Sequence, residues 1–85
     1  MSSEAPIELS KHAKEMLVER NISEEWVWRT IQSFDNKSVG VDANLHFTKA
    51  IVEKENRILH VVVNPQLNPN RVVTLFFDRR LRSKK

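Results

Sequence analysis

The side chains that could do chemistry are few. Three histidines stand at 12, 46 and 60, and no cysteine or tyrosine is present. Imidazole is the usual general acid or base near neutral pH. The histidines are spaced 34 and then 14 residues apart, which is not the local spacing of a metal site. A turn through Lys54-Glu55-Asn56 sets Glu53 opposite Arg57 and His60 opposite Ala50. On that register His46 lies four residues along, roughly 13 Å from His60, so no shared histidine site is expected. Arginine supplies the other chemistry. Arg20 follows His12 by eight residues on a first helix, roughly 12 Å along the axis, so both could border one cleft. Arg71, Arg79 and Arg80 flank the last strand, and Arg82 belongs to the basic run that follows. Guanidinium at such positions can grip phosphates bidentately. Trp28 lies about 100° from the apolar stripe of a second helix and is the candidate partner contact. Gly-rich phosphate loops, paired carboxylates and a recognisable Ser/His/Asp signature are absent from the sequence.

Two helices position the N-terminal half of this set. Ser10 is placed to cap the first, and Leu9, Ala13, Met16 and Leu17 fall on one face. Asn21 reads as the stop, since asparagine tolerates the left-handed conformation that ends helices. Ser23 caps the second helix, with Glu24 and Glu25 in its first turn and Ile22 set to staple against Val27. Val27, Ile31 and Phe34 continue the apolar face, with Trp26 and Thr30 at its edge. Residues 35–44 read as a loop in which Val39–Val41 is the candidate fourth strand. Leu45–Glu53, Arg57–Val63 and Arg71–Phe77 read as strands, joined by the 54–56 turn and a loop containing Pro65 and Pro69. The expected fold is therefore α+β: two N-terminal helices on a three-stranded antiparallel meander, in the order ααβββ. Residues 1–8 are expected as a flexible arm, 9–78 as one domain and 79–85 as a basic tail.

The totals bound the function. The chain has 85 residues, 40% apolar and 29% charged, with a single glycine. That is one folded domain with a small core. Without cysteine, neither disulfides nor thiolate zinc sites can form. The acidic N-terminus does not read as a signal peptide, and no apolar run suits a membrane helix. A soluble cytoplasmic protein without metal or small-molecule cofactor is expected. The net charge is +3, but positions 1–78 hold nine basic and eleven acidic residues, or −2, while 79–85 carry five basic residues and no acid. Such a run can bind nucleic acid by counterion release. The last two strands are apolar on both faces, so the face away from the helices is expected to meet a protein partner, a second copy of the chain, a loop or a ligand.

The stretch from Ser10 to Ser23, with His12, Ala13, Glu19, Arg20 and Ile22, resembles the opening of the bacterial domain-of-unknown-function family 4258. The strands Ile58–Val63 and Val72–Phe77 resemble its closing hairpin. Met16 stands where that pattern has arginine, and Asn21 where it has glycine. The family is grouped with RelE/ParE/BrnT-like toxins. The resemblance thus implies a RelE-like arrangement of helices over an antiparallel sheet, with RNA cleavage the activity of RelE-like and BrnT-like relatives and gyrase inhibition that of ParE-like ones. Two readings follow. One is a non-catalytic protein-interaction module of that fold, the reading favoured by Met16 in place of a cation. The other is a metal-independent endoribonuclease with His12 or His60 as base or acid and Arg20, Arg71, Arg79 or Arg80 as charge stabilisers. A third reading is nucleic-acid binding through the basic tail alone, with Arg79, Arg80 and Arg82; Arg71 is a further nucleic-acid-binding candidate outside the tail.

Overall fold

The computed structural model describes residues 7–67 and 69–82. The chain runs β1 (Ile7–Leu9), α1 (Lys11–Glu19), α2 (Glu24–Gln32), β2 (Asn36–Val39), β3 (Leu45–Ile51), β4 (Arg57–Asn64) and β5 (Asn70–Arg82). These strands form one five-stranded sheet in the order β1-β5-β4-β3-β2. The sheet is mixed. β1 pairs parallel to β5, Ile7 opposite Asn70, and the other pairings are antiparallel. This corrects the expected ααβββ meander of three or four antiparallel strands. β1 escapes the sequence pattern because it is only three residues long and its Leu9 also fits the helical stripe. β2 lies at Asn36–Val39 rather than at Val39–Val41, and all four of its residues are exposed. A strand with no buried face leaves no alternation to read.

The helix boundaries follow from capping chemistry. The Ser10 hydroxyl accepts the Ala13 N–H at 3.0 Å, and the Ser23 hydroxyl accepts that of Glu25 at 3.2 Å. Asn21 takes φ 55° and ends α1. The Ile22 N–H then reaches the Leu17 carbonyl, and the Asn21 N–H that of Val18, at 2.9 and 3.3 Å. These are the paired bonds of a Schellman motif. Ile22 and Val27, on either side of the second cap, are both buried in the core.

One face of the sheet meets the helices. Ala13, Met16, Ile22 and Val27 pack with Phe47, Ile51, Leu59, Val61, Val63, Val72 and Leu75 in a single cluster. Fully burying each Val, Leu or Ile is worth roughly 1.5–3 kcal/mol, so this layer carries most of the fold's stability. Thr30 is also fully buried, and its hydroxyl donates to the Trp26 carbonyl at 2.8 Å. Phe34, expected on the buried face, is exposed. The β4–β5 register shifts between Val62 and Val63, which lie opposite Thr74 and Val72 respectively, so Val73 is the extra residue of a bulge. Beyond it, Leu75 and Phe77 point to the helices, and Thr74, Phe76 and Asp78 to the other face.

β5 does not stop at Phe77. It continues through Arg79 and Arg80 to Arg82, so the first part of the basic run is strand rather than loose tail. The rest of the run, 83–85, and residues 1–6 of the expected arm lie outside the described residues. Among the described residues, no helix is long and apolar enough to cross a membrane.

Candidate functional site

A basic cleft opens where α1 ends beside the β3–β4 turn. Arg20, Lys54, Arg57, Phe77 and Arg79 line it, and its volume is about 110 Å³. Each is placed by a local feature. Arg20 is the C-cap of α1. Arg57 opens β4, while Phe77 and Arg79 alternate onto the helix side of β5. Lys54 ends the short 3-10 turn Val52–Lys54, after which Glu55 and Asn56 take φ 57° and 65°. Two left-handed residues in succession reverse the chain into β4.

Aromatic rings support the cations. The Arg57 guanidinium lies 4.9 Å from the centre of the Phe77 ring, and Lys54 Nζ 6.0 Å from that of Trp26. Trp26 and Phe77 pack against each other with centroids 6.3 Å apart. Cation–π contacts of this kind hold a charge in place without neutralising it. Among the described residues, none of the four cations is ion-paired, whereas Arg29, Lys49 and Arg80 are. Arg29 reaches both oxygens of Glu53 at 2.8 and 2.9 Å, and Glu25 at 3.2 Å. Hydrogen bonds donated by Arg29 pull the Glu53 carboxyl down to about 2, and donating to Glu53 and then to Glu25 raises Arg29. The acid beside Lys54 is thus directed to α2 and away from the cleft.

The opposite face of the sheet carries a different arrangement. Asp42 Oδ1 lies 3.2 Å from His46 Nε2, His46 Nδ1 2.9 Å from His60 Nε2, and His60 Nδ1 3.0 Å from Asp78 Oδ2. Asp78 is buried, and its Oδ1 accepts from the Arg80 N–H at 3.0 Å and from Arg80 Nε at 3.3 Å. These bonds from Arg80, helped by His60 against the cost of burial, hold the Asp78 carboxyl at about 2. Asp42 is lowered chiefly by the Asn44 N–H it accepts, and next by His46. His60 also stacks on Phe76, with centroids 4.9 Å apart.

This histidine pair overturns the expectation that His46 and His60 are remote. The turn takes five residues, 52–56, so Ile51 rather than Glu53 lies opposite Arg57. Thr48 then faces His60, and His46 becomes its diagonal neighbour on the same face. The missed signal was the 3-10 turn. Asp42, four residues before His46, and Asp78, just beyond the expected last strand, completed the chain unnoticed.

The other expected site residues scatter. His12 is exposed on the first turn of α1, Arg20 borders the cleft at the far end of that helix, and His60 lies on the face away from both helices. Met16 is buried in the core. Arg79 enters the cleft while Arg80 turns to Asp78. Arg71 is exposed and lies opposite Asn64 on the open face. Arg82 ends β5, opposite Arg57 in the ladder. Trp28 is half-buried, and its indole N–H donates to Glu24 Oε2 at 3.0 Å. Among the described residues, no group of three or more His, Cys, Asp or Glu is arranged to hold a metal.

No curated protein matches the chain, and no solved structure matches it. One family model matches residues 9–77, from the last residue of β1 to Phe77 on β5. On that match over most of its length, the chain belongs to the family described as Domain of unknown function (DUF4258).

Proposed function

We propose that this domain is a non-catalytic binding module whose basic cleft takes a backbone phosphate of RNA. The observation that carries the reading is the convergence of Arg20, Lys54, Arg57 and Arg79 on one small cleft with no carboxylate partner among the described residues. Four like charges held together repel, and a polyanion relieves that repulsion while releasing counterions. At about 110 Å³ the cleft is below the roughly 300–1,000 Å³ of small-molecule pockets, which favours one anionic group of a longer ligand. Its lining binds charge; the paired histidines, which could move a proton, lie on the other face. The likeness of the opening helix to RelE/ParE/BrnT-grouped relatives is what selects RNA among polyanions.

The test is fluorescence anisotropy of a single-stranded oligoribonucleotide in EDTA, with the RNA recovered and sized afterwards. Binding should weaken steeply with salt and leave the RNA intact. The double variant R20Q/R57Q should lose roughly 10–100-fold in affinity, as expected for charge-assisted contacts worth ~1.5–3 kcal/mol. Undiminished binding by that variant removes the cleft from the proposal and leaves the basic run 79–85. Cleavage in EDTA would instead support the endoribonuclease reading.

A second reading rests on β2. This edge strand is exposed throughout, and Val39 and the following Val41 present apolar side chains to solvent. An exposed edge is a template for pairing with another copy. Sedimentation equilibrium at rising concentration tests it, and a monomer throughout would dismiss it.

A further inference from the structure

The contacts from Asp42 through His46 and His60 to Asp78 can be counted in protons. Each of the three contacts needs one hydrogen, since carboxylate oxygens and bare ring nitrogens only accept. Two neutral imidazoles bring two hydrogens, which leaves one contact empty. Two imidazolium rings bring four, so two N–H groups would meet head-on across the 2.9 Å between His46 Nδ1 and His60 Nε2. Three hydrogens satisfy every contact. We infer that His46 and His60 form a single proton-binding site, holding one proton beyond those of two neutral rings, bracketed by Asp42 and Asp78.

The charges around the pair agree with the count. From the 40–44 turn comes Asp42, and from β5 come Asp78 and Arg80. β2 contributes neutral Ser38, opposite His46, and β3 contributes Thr48, opposite His60. Arg71 lies at the remote end of this face beside Asn64. Two carboxylates and one guanidinium leave a net charge of −1 beside the rings, and the shared proton brings it to zero. The inner end of the site is sheltered, with the His60 and Asp78 side chains 13% and 3% exposed, while Asp42 at the outer end is 47% exposed.

Gly40 is the second, independent observation. It is the chain's one glycine, and its φ is not positive, so backbone freedom does not explain it. A Cβ there would lie 2.6 Å from His46 Nε2 and 2.7 Å from Asp42 Oδ1. The missing side chain is the space in which the outer contact of the chain forms. The shared proton therefore clasps the 40–44 turn to the open face of the sheet. Losing it with rising pH empties one contact, and gaining another with falling pH drives the rings apart.

Imidazole nitrogen NMR on the full chain reads the count directly. The pair should take up its two extra protons in two distinct steps, with a one-proton plateau between. Two rings titrating together as independent sites would overturn the proposal. Asp42→Asn keeps the turn's shape and removes the outer charge, so the plateau proton should leave at lower pH than in the parent protein. An unmoved plateau in that variant would equally overturn it, with the amide spectrum confirming that the fold is unchanged.

Discussion

The two faces of this small sheet treat charge in opposite ways. On the helix side, Arg20, Lys54, Arg57 and Arg79 gather without a carboxylate among the described residues, steadied by aromatic rings. On the open side, Arg80, Asp78, His60, His46 and Asp42 each answer the next in an unbroken chain. The contrast is sharpest at adjacent positions, because Arg79 and Arg80 leave β5 on opposite faces. Unanswered charge costs stability and keeps the capacity to bind. Answered charge stabilises the fold and has little left for a ligand. The first arrangement suits a binding surface and the second a clasp.

The largest effect expected from this comparison is in stability. Asp78→Ala removes the acceptor of His60 and Arg80 from a buried position and should cost about 2–3 kcal/mol in urea unfolding. RNA affinity should change less than twofold. The pH dependence carries the same signature. The folded Asp78 carboxyl is held at about 2, below its unfolded value near ~3.9, so its stabilisation is fully present above about pH 4 and lost as pH falls toward 2. Glu53 in the 52–54 turn, also held at about 2 by Arg29 of α2, adds to the loss as pH falls from about 4.5 toward 2. Asp78→Asn should flatten that part of the acid-unfolding curve. An undiminished acid transition in the variant would show that Asp78 is no clasp.

Next in size is the separation of neighbouring arginines. Arg79→Gln should lower RNA affinity about tenfold, ~1.4 kcal/mol, and reduce the salt slope by about 1. Its effect on stability should stay within about 0.5 kcal/mol. Arg80→Gln should do the reverse, lowering the urea midpoint with affinity nearly intact. Equal loss of affinity in both variants would mean that the basic run binds as a diffuse charge and that the cleft has no special part.

Local chemistry in the sequence foretold local structure. The caps at Ser10 and Ser23, the left-handed stop at Asn21 and the apolar runs of β4 and β5 each rest on a few adjacent residues, and the structure follows them. Non-local pairing was out of reach. β1 depends on a parallel contact with β5 some 60 residues away, and β2 buries nothing that would mark its face. The site failed at one turn. Taking 54–56 for 52–56 moved the β3–β4 register by two residues, which sent His46 four positions from His60 instead of two and hid the chain of contacts. The cleft was half legible. Arg20 and Arg79 stood out as cations near element ends, but Lys54 and Arg57 joined them only through the same misread turn.

The smallest effect probes the outermost link of the clasp. Gly40→Ala places a Cβ within 2.6 Å of His46 Nε2, closer than a carbon can sit, and the atoms it meets are side-chain ends that can swing away. The backbone should therefore hold while the Asp42–His46 contact is lost, with a small drop in the urea midpoint. Asp42→Ala should cost a similar amount. The double variant should cost no more than either single change, because both remove the same contact. Additive losses would mean that Gly40 serves the turn itself, leaving the histidine pair without its outer anchor. RNA affinity, read in parallel on all three proteins, should stay level, since nothing in the 40–44 turn touches the cleft on the other face.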